Sequence, residues 1–261
     1  MNKSTYIGLA LGIIAVVVGM YLKGASPASL LNGAAFMIIF VGTAAALFIG
    51  FEMEDLKKIP KLFKVLFSEQ KLESKKDLME LFTEMTATTR REGLLALEAK
   101  VDEIQSEFMK NGLRMIIDGN DQEFVRDVLL EEVSAMEERH RNNALIFTQA
   151  GTYAPTLGVL GAVVGLIAAL SNLSEVEKLG HLISAAFVAT LLGIFSGYVL
   201  WHPMANKLKQ KSKKEVEIKL MIVEGLLSIQ AGVSVFAVTQ KLSVFLSPTE
   251  RAASNKAEGE Q

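Results

Sequence analysis

The sequence predicts an all-α membrane protein with four transmembrane helices and a large helical cytoplasmic domain. Half of the 261 residues are hydrophobic, yet 21% are charged. Both values fit one chain when apolar and charged residues are segregated along it. Four runs contain no Asp, Glu, Lys or Arg, and each approaches the roughly 20 residues that span a hydrocarbon core of about 30 Å. The runs are residues 6–22, 33–51, 146–170 and 182–199.

Basic residues beside these runs predict the orientation of the chain. The link between the first two runs carries a single lysine, and the link between the last two carries Lys178 with two glutamates. Clusters that include Lys57 and Lys207 flank the opposite ends of the runs. We therefore expect a multi-pass protein of the inner (cytoplasmic) membrane with both termini in the cytoplasm. The predicted domains are transmembrane helices one and two (1–51), a cytoplasmic helical domain (52–143), transmembrane helices three and four (144–203), and a cytoplasmic helical extension with a polar tail (204–261).

Helical patterns continue through the polar parts. Apolar residues between Leu56 and Phe67 recur at helical spacing with lysines among them, which predicts a basic amphipathic helix on the membrane face or packed on the cytoplasmic domain. The pattern continues over residues 78–117, with Gly93 and Gly112 as candidate interruptions. Residues 122–154 contain no proline, so one helix is expected to run from there into the third span. The fourth span is expected to continue past its proline to about residue 229.

No pattern indicates covalent chemistry, a metal, a cofactor or nucleic acid, so we expect neither an enzyme nor a nucleic-acid-binding protein. The chain has no cysteine, three scattered histidines and a net charge of −2, and it contains no phosphate-binding loop or zinc motif. The four apolar runs also contain no carboxylate. Proton and cation carriers usually hold one inside the membrane. If this chain conducts an ion, a partner chain must supply the acid.

Glycines and prolines are the notable residues of the apolar runs. Pro155 removes a backbone hydrogen bond and can kink the third span. Pro203 marks either a second hinge or a helix boundary. Hydroxyl groups such as Thr190 either line a polar path or bond their own backbone. Three glycine pairs at a spacing of four predict close helix packing: Gly8 with Gly12, Gly161 with Gly165, and Gly193 with Gly197.

The cytoplasmic segment RREGLLALE, residues 90–98, carries charge at both ends. Arg91 and Glu98 are seven residues apart, so on a continuous helix they share nearly one face, and Arg90 lies close to it. Such a pattern indicates either a contact surface for a protein partner or a solvated helix face.

Several of these segments resemble one known family. Residues 149–170, QAGTYAPTLGVLGAVVGLIAAL, look like the third span of the MotA/PomA flagellar motor stator subunits. Residues 181–211, with ATLLG and WHPMANKL, look like the fourth span and its exit, and RREGLLALE matches the torque-helix motif. The resemblance covers nearly the whole chain except the polar tail, and it is strongest to the Bacillus-type members.

The resemblance implies a function. Five copies would surround the membrane helices of two MotB-type partners, which anchor to peptidoglycan and supply the ion-binding aspartate. Ion flow would then drive rotation and deliver torque to the rotor protein FliG. Arg90 and Glu98 would contact the rotor, Pro155 and Pro203 would be the gating prolines, and Thr190 would line the channel.

The same resemblance bears on the choice of ion. Sodium-driven relatives carry threonine at the positions of Ala162 and Ala189, and alanine offers no oxygen ligand. We therefore expect a proton channel. Two alternatives remain open: a subunit of the ExbB/TolQ class, which typically has three spans, and a structural scaffold without ion flux. The fourth run and the 90–98 motif favour the stator subunit.

Overall fold

The computed structural model describes residues 3–70 and 72–251, and within these ranges the chain forms helices and no strands. Its helices belong to two compact units. The first comprises Met1–Gln70 and His140–Gln210, and the second comprises Lys71–Arg139 and Lys211–Gln261. The sequence-based division at residues 51, 143 and 203 stays a prediction.

The N-terminal part of the first unit contains two apolar helical segments and a short amphipathic helix. The second apolar segment is interrupted by a π-helical stretch, Met37–Val41, and preceded by a 3₁₀ turn, Pro27–Leu30. Helix α5 buries Leu62 and Leu66 against Phe147 and Leu208. The helices are α1 (Lys3–Leu22), α2 (Gly33–Phe36), α3 (Gly42–Gly50), α4 (Met53–Leu56) and α5 (Ile59–Phe67).

Two long helical stretches supply residues to both units. Helix α9 (Gln122–Leu170) is a single helix, and α10 (Val176–Phe195) continues through a π-helical segment, Ser196–Trp201, into α11 (His202–Gln230). Both predicted continuations are therefore confirmed. The interpretation of Pro203 as a helix boundary is wrong, because α11 continues for many residues beyond it. Pro203 lies two residues after Trp201, the last residue of the π-helical segment, so its missing N–H falls where the hydrogen-bond pattern of the helix already changes.

Four helical segments of the described chain are long and apolar enough to cross a membrane: Lys3–Leu22, Pro27–Gly50, and stretches of Gln122–Leu170 and Val176–Gln230. They coincide with the four runs found in the sequence. Their exposed side chains are largely apolar, for example Ile7, Ile49 and Leu170, as expected for helices that face lipid or other membrane helices. The predicted fold class is confirmed.

The second unit is built around a large apolar core. Phe82, Met109, Leu129 and Met221 are fully buried in it. Serine side chains cap α6, α8 and α12 by accepting a backbone N–H. Its remaining elements are α6 (Lys75–Glu92), a 3₁₀ turn (Leu94–Leu97), α7 (Glu98–Val101), α8 (Glu107–Ile117) and α12 (Val235–Ser243).

The two candidate helix interruptions in this unit have different outcomes. Gly93 ends α6 with φ +86° and ψ 171°, a backbone region that is essentially confined to glycine. Gly112 does not interrupt a helix, so that prediction is wrong. It lies buried inside α8, where a side chain would collide with Leu226, and its role is to allow close packing.

Candidate functional site

The third and fourth spans touch through their backbones. A Cβ atom built on Gly193 would lie 2.7 Å from the Gly158 Cα atom and 2.9 Å from the Ala154 carbonyl oxygen. Real Cβ atoms do not approach so closely, so this crossing requires glycine. The row of contacts continues along both helices. We call it the glycine seam, formed by Gly158, Gly161 and Gly165 of α9, Ala186, Ala189 and Gly193 of α10, and Gly197 of the π-helical segment.

Pro155 packs directly on the glycine seam. A Cβ atom on Gly197 would lie 2.6 Å from Pro155 Cγ and 2.8 Å from the Gly151 carbonyl oxygen. Because proline has no N–H, it cannot donate to the carbonyl four residues earlier, which is that of Gly151. The helix continues through Pro155, and the carbonyl left without its helical donor faces Gly197 across the interface.

Ala162 and Thr190 flank the glycine seam at one level. Their chain neighbours meet there, since a Cβ on Gly161 would lie 3.1 Å from Ala189 Cβ. Ala162 and Thr190 are both half-buried. The Thr190 hydroxyl donates to the Ala186 carbonyl at 3.3 Å, which is the backbone-bonding alternative of the sequence analysis. Its part in an ion pathway stays a prediction.

Pro203 is exposed and lies one residue beyond His202. A Cβ on Gly151 would lie 2.8 Å from the His202 ring, so His202 packs against the turn of α9 that precedes Pro155. The two prolines are therefore five to six residues apart along this helix pair, roughly 8 Å at 1.5 Å per residue. A gating role for either proline stays a prediction.

The fully buried polar side chains of the described spans carry hydroxyl groups and no carboxylate. In the described part of the first unit, the fully buried polar side chains are Thr43 and Ser196. Ser196 donates to the Gly193 carbonyl at 3.0 Å. Neither group binds and releases a proton at physiological pH, so the described spans offer a close helix interface without a titrating acid.

The charged segment of the second unit is not one continuous helix. Arg90 lies in the last turn of α6, Gly93 ends that helix, and Glu98 begins α7 after a 3₁₀ turn. The expectation that Arg91 and Glu98 share a face of one helix is therefore wrong, because Gly93 redirects the chain between them. Arginine near a helix C-terminus and glutamate near an N-terminus both suit the helix dipoles. Arg90 and Glu98 are both exposed.

Glu98 has charged neighbours that sequence spacing did not indicate. It lines a polar cavity of about 340 Å³ with Asp102, Arg114 and Asp118. The buried side chain of Leu97 fixes the start of α7 in the core. Glu98 therefore stands at the rim of a mixed-charge depression.

Comparisons with known proteins agree with this architecture. A model of the MotA/TolQ/ExbB proton channel family matches residues 100–221, and a model of the motility protein A N-terminal region matches residues 6–93. Motility protein A of Bacillus subtilis is 54% identical over 96% of this chain and 93% of its own length.

Two solved structures are also similar to the chain. The flagellar MotAB stator complex of Bacillus subtilis matches with a TM-score of 0.92 at 54% identity, covering 97% of this chain and 99% of the matched one. MotAB of C. jejuni matches with a TM-score of 0.89 at 31% identity, covering 95% and 97%.

These similarities extend over nearly the whole chain and include both the four spans and the cytoplasmic helices. They confirm the prediction of a multi-pass inner-membrane stator subunit, and the motility protein A N-terminal match favours it over the ExbB/TolQ alternative. The chain therefore belongs to the MotA/TolQ/ExbB proton channel family and, within it, to the motility protein A branch of flagellar stator subunits.

Proposed function

We propose that this stator subunit forms a proton channel with a MotB-type, peptidoglycan-anchored partner and converts proton flow into torque on the rotor protein FliG. The observation that carries the proposal is the glycine seam: the third and fourth spans pack to backbone contact, and the fully buried polar side chain that their described residues contribute is the hydroxyl-bearing Ser196. A proton path needs a group that titrates. The partner supplies that carboxylate, in keeping with the MotAB complexes to which the chain is similar.

The glycine seam also suggests how ion binding reaches the cytoplasm. Close-packed helices slide or rotate by discrete steps, because their contacts cannot deform continuously. Pro155 leaves the Gly151 carbonyl without its helical donor next to Gly197. Bending the third span at Pro155 therefore costs less free energy than bending an uninterrupted helix. We assign Pro155 and Pro203 as gating prolines, and Thr190 and Ala162 as residues of the ion pathway.

The choice of a proton is supported by the side chains beside the glycine seam. Sodium needs several oxygen ligands, whereas a proton needs an acid and a water path. Ala162 is half-buried and Ala189 is almost fully buried against Gly161. Neither alanine offers an oxygen, and a larger side chain at residue 189 would press on the neighbouring helix.

Torque transfer is assigned to the charged segment of the second unit. Arg90 and Glu98 are exposed on either side of Gly93 and present opposite charges at the end of α6 and the start of α7. Opposite charges at a protein surface steer a charged partner and fix its register. FliG is the proposed partner by family resemblance.

The assembly is a homo-oligomer in the membrane, and we propose a pentamer with both termini in the cytoplasm. Exposed apolar side chains along the third span, such as Leu160, Val164 and Ile167, suit contact with other membrane helices. The proposed activity is ion conduction coupled to motion, without covalent catalysis or a cofactor.

An ion-replacement experiment tests the coupling. The chain and its MotB-type partner are expressed in a strain without other stators, and swimming speed is recorded while sodium is varied at constant pH. We expect speed to be independent of sodium and to fall to zero with a protonophore, while flagella remain assembled. Ala162→Thr should retain this behaviour because residue 189 is still alanine. Swimming that requires sodium and survives the protonophore would contradict proton coupling.

A further inference from the structure

A cleft of about 370 Å³ lies between α1, the end of α5 and the beginning of α11. This volume is within the range of sites that hold small organic molecules. The lining residues include Ser4, Thr5 and Gly8 from α1, Phe67 from α5, and Tyr198 and Lys207 from the fourth span and its extension.

The polar and apolar parts of the cleft are separated along the helices. Lys207 Nζ donates to Ser4 Oγ at 3.0 Å, so a cation and a hydroxyl meet at the start of α1. The Thr5 hydroxyl is enclosed beside them and has no hydrogen-bond partner within the described residues. An enclosed hydroxyl without a partner costs free energy, and an acceptor brought to this end of the cleft would satisfy it. The residues one turn further along α1, Gly8 and Leu9, are apolar.

Contacts on two sides hold this cleft open. The Tyr6 and Phe67 rings pack at 5.2 Å, which fixes α5 to α1. At the far end, α1 approaches the fourth span so closely that a Cβ on Gly12 would lie 2.6 Å from Val199 Cγ1. Between these contacts, a Cβ on Gly8 would meet nothing within 4 Å. Residue 8 therefore borders open space, which only a much larger side chain would fill.

We propose that this cleft binds an anionic phospholipid. The phosphate lies against Lys207, Ser4 and Thr5, and an acyl chain follows Gly8 and Leu9 towards the membrane interior. Charge complementarity selects the anionic headgroup, since a lysine near the membrane surface attracts acidic lipids. The polar end lies where the first apolar run begins, and it is on the lysine-rich side of the chain.

This proposal goes beyond the proposed function and does not depend on the coupling ion or on the rotor contact. The orientation proposed above is used only to assign the lipid to the cytoplasmic leaflet, where anionic lipids are abundant. The test measures lipid binding and not motility, so either proposal can fail without the other.

The experiment is native mass spectrometry of the purified, delipidated stator complex titrated with phosphatidylglycerol and, separately, phosphatidylcholine of the same acyl chains. We expect preferential binding of phosphatidylglycerol. Lys207→Gln should weaken it by about fivefold, the effect of one lysine near an anionic surface, and Thr5→Val should weaken it while preserving the side-chain shape. Gly8→Leu should abolish binding by filling the cleft.

Two matched controls separate this site from general lipid adhesion. The first control is Gly19→Leu, because Gly19 is on the same helix and has equally open surroundings but lies outside the cleft. The second is Lys209→Gln, which removes an exposed charge close to Lys207. Both should bind as the wild type does. Equal binding by Gly8→Leu, Lys207→Gln and the controls would overturn the proposal. Gly8→Cys carrying a thiol-attached photo-cross-linker that reacts with a neighbouring copy of the chain would also overturn it, because a second subunit would then occupy the cleft.

Discussion

Replacing Gly193 with alanine tests the glycine seam at the point where its backbones are closest. The added Cβ would lie 2.7 Å from Gly158 Cα and 2.9 Å from the Ala154 carbonyl oxygen. Ordinary carbon contacts are about 3.5–4.0 Å, so the helices must separate by roughly 1 Å. Both obstructing atoms belong to backbone and cannot rotate away. Overpacking of this kind costs about 1–3 kcal/mol.

Gly180→Ala is the matched control on the same helix. A Cβ at residue 180 meets nothing within 4 Å, and alanine favours a helix over glycine by up to about 1 kcal/mol. Thermal unfolding of the purified complex should therefore show a lower midpoint for Gly193→Ala and an unchanged or higher one for Gly180→Ala. Swimming should be reduced for the first variant alone. Equal midpoints for the two variants would refute the packing argument.

Two further predictions concern the charged segment of the second unit. Arg90→Glu should reduce motor torque in a tethered-cell assay by removing one charge of the rotor contact, while the amount of protein in the membrane is unchanged. Arg126→Glu, at another exposed arginine, serves as its control. Normal torque for Arg90→Glu would count against the contact. Gly93→Ala should destabilise the second unit by about 1–3 kcal/mol, because φ +86° with ψ 171° is strained for alanine. A denaturation midpoint equal to that of the wild type would show that the strain is relieved.

The four spans could be predicted from the sequence because they depend on long uncharged runs, which local composition reveals directly. The continuous helix from residue 122 to residue 170 was also predictable, since nothing before Pro155 interrupts it. The π-helical stretches Met37–Val41 and Ser196–Trp201 were not predicted. A π-helical turn is a rare change to i→i+5 hydrogen bonds inside an α-helix, and apolar periodicity does not distinguish the two.

The glycine seam was predicted only in part. The pairs at 161 and 165 and at 193 and 197 do lie at the interface. Of the pair at 8 and 12, Gly12 packs closely on Val199 of the fourth span, whereas a Cβ on Gly8 would meet nothing within 4 Å. Gly158 was missed, although its spacing of three and seven residues from Gly161 and Gly165 continues the same helix face. The spacing of glycines shows that one helix face carries small residues, but only the packed structure shows which helix faces are in contact.

The charged segment illustrates where periodicity misleads. Seven-residue spacing places two side chains on one face only if the helix is continuous, and Gly93 ends it. The proximity of Asp102, Arg114 and Asp118 to Glu98 depends on the return of α8 towards α7. Tertiary contacts of this kind cannot be predicted from the spacing of residues along the sequence.

We propose that these close-packed, acid-free spans conduct protons only with a carboxylate from a partner. The most direct measurement is proton flux into liposomes containing this subunit alone, the subunit with its MotB-type partner, or the subunit with a partner whose membrane aspartate is changed to asparagine. A potassium gradient with valinomycin sets the same potential in all three. We expect proton flux only in liposomes that contain the subunit together with its intact partner. Flux through the subunit by itself, or through the subunit with the asparagine partner, would show that the partner's carboxylate is not required.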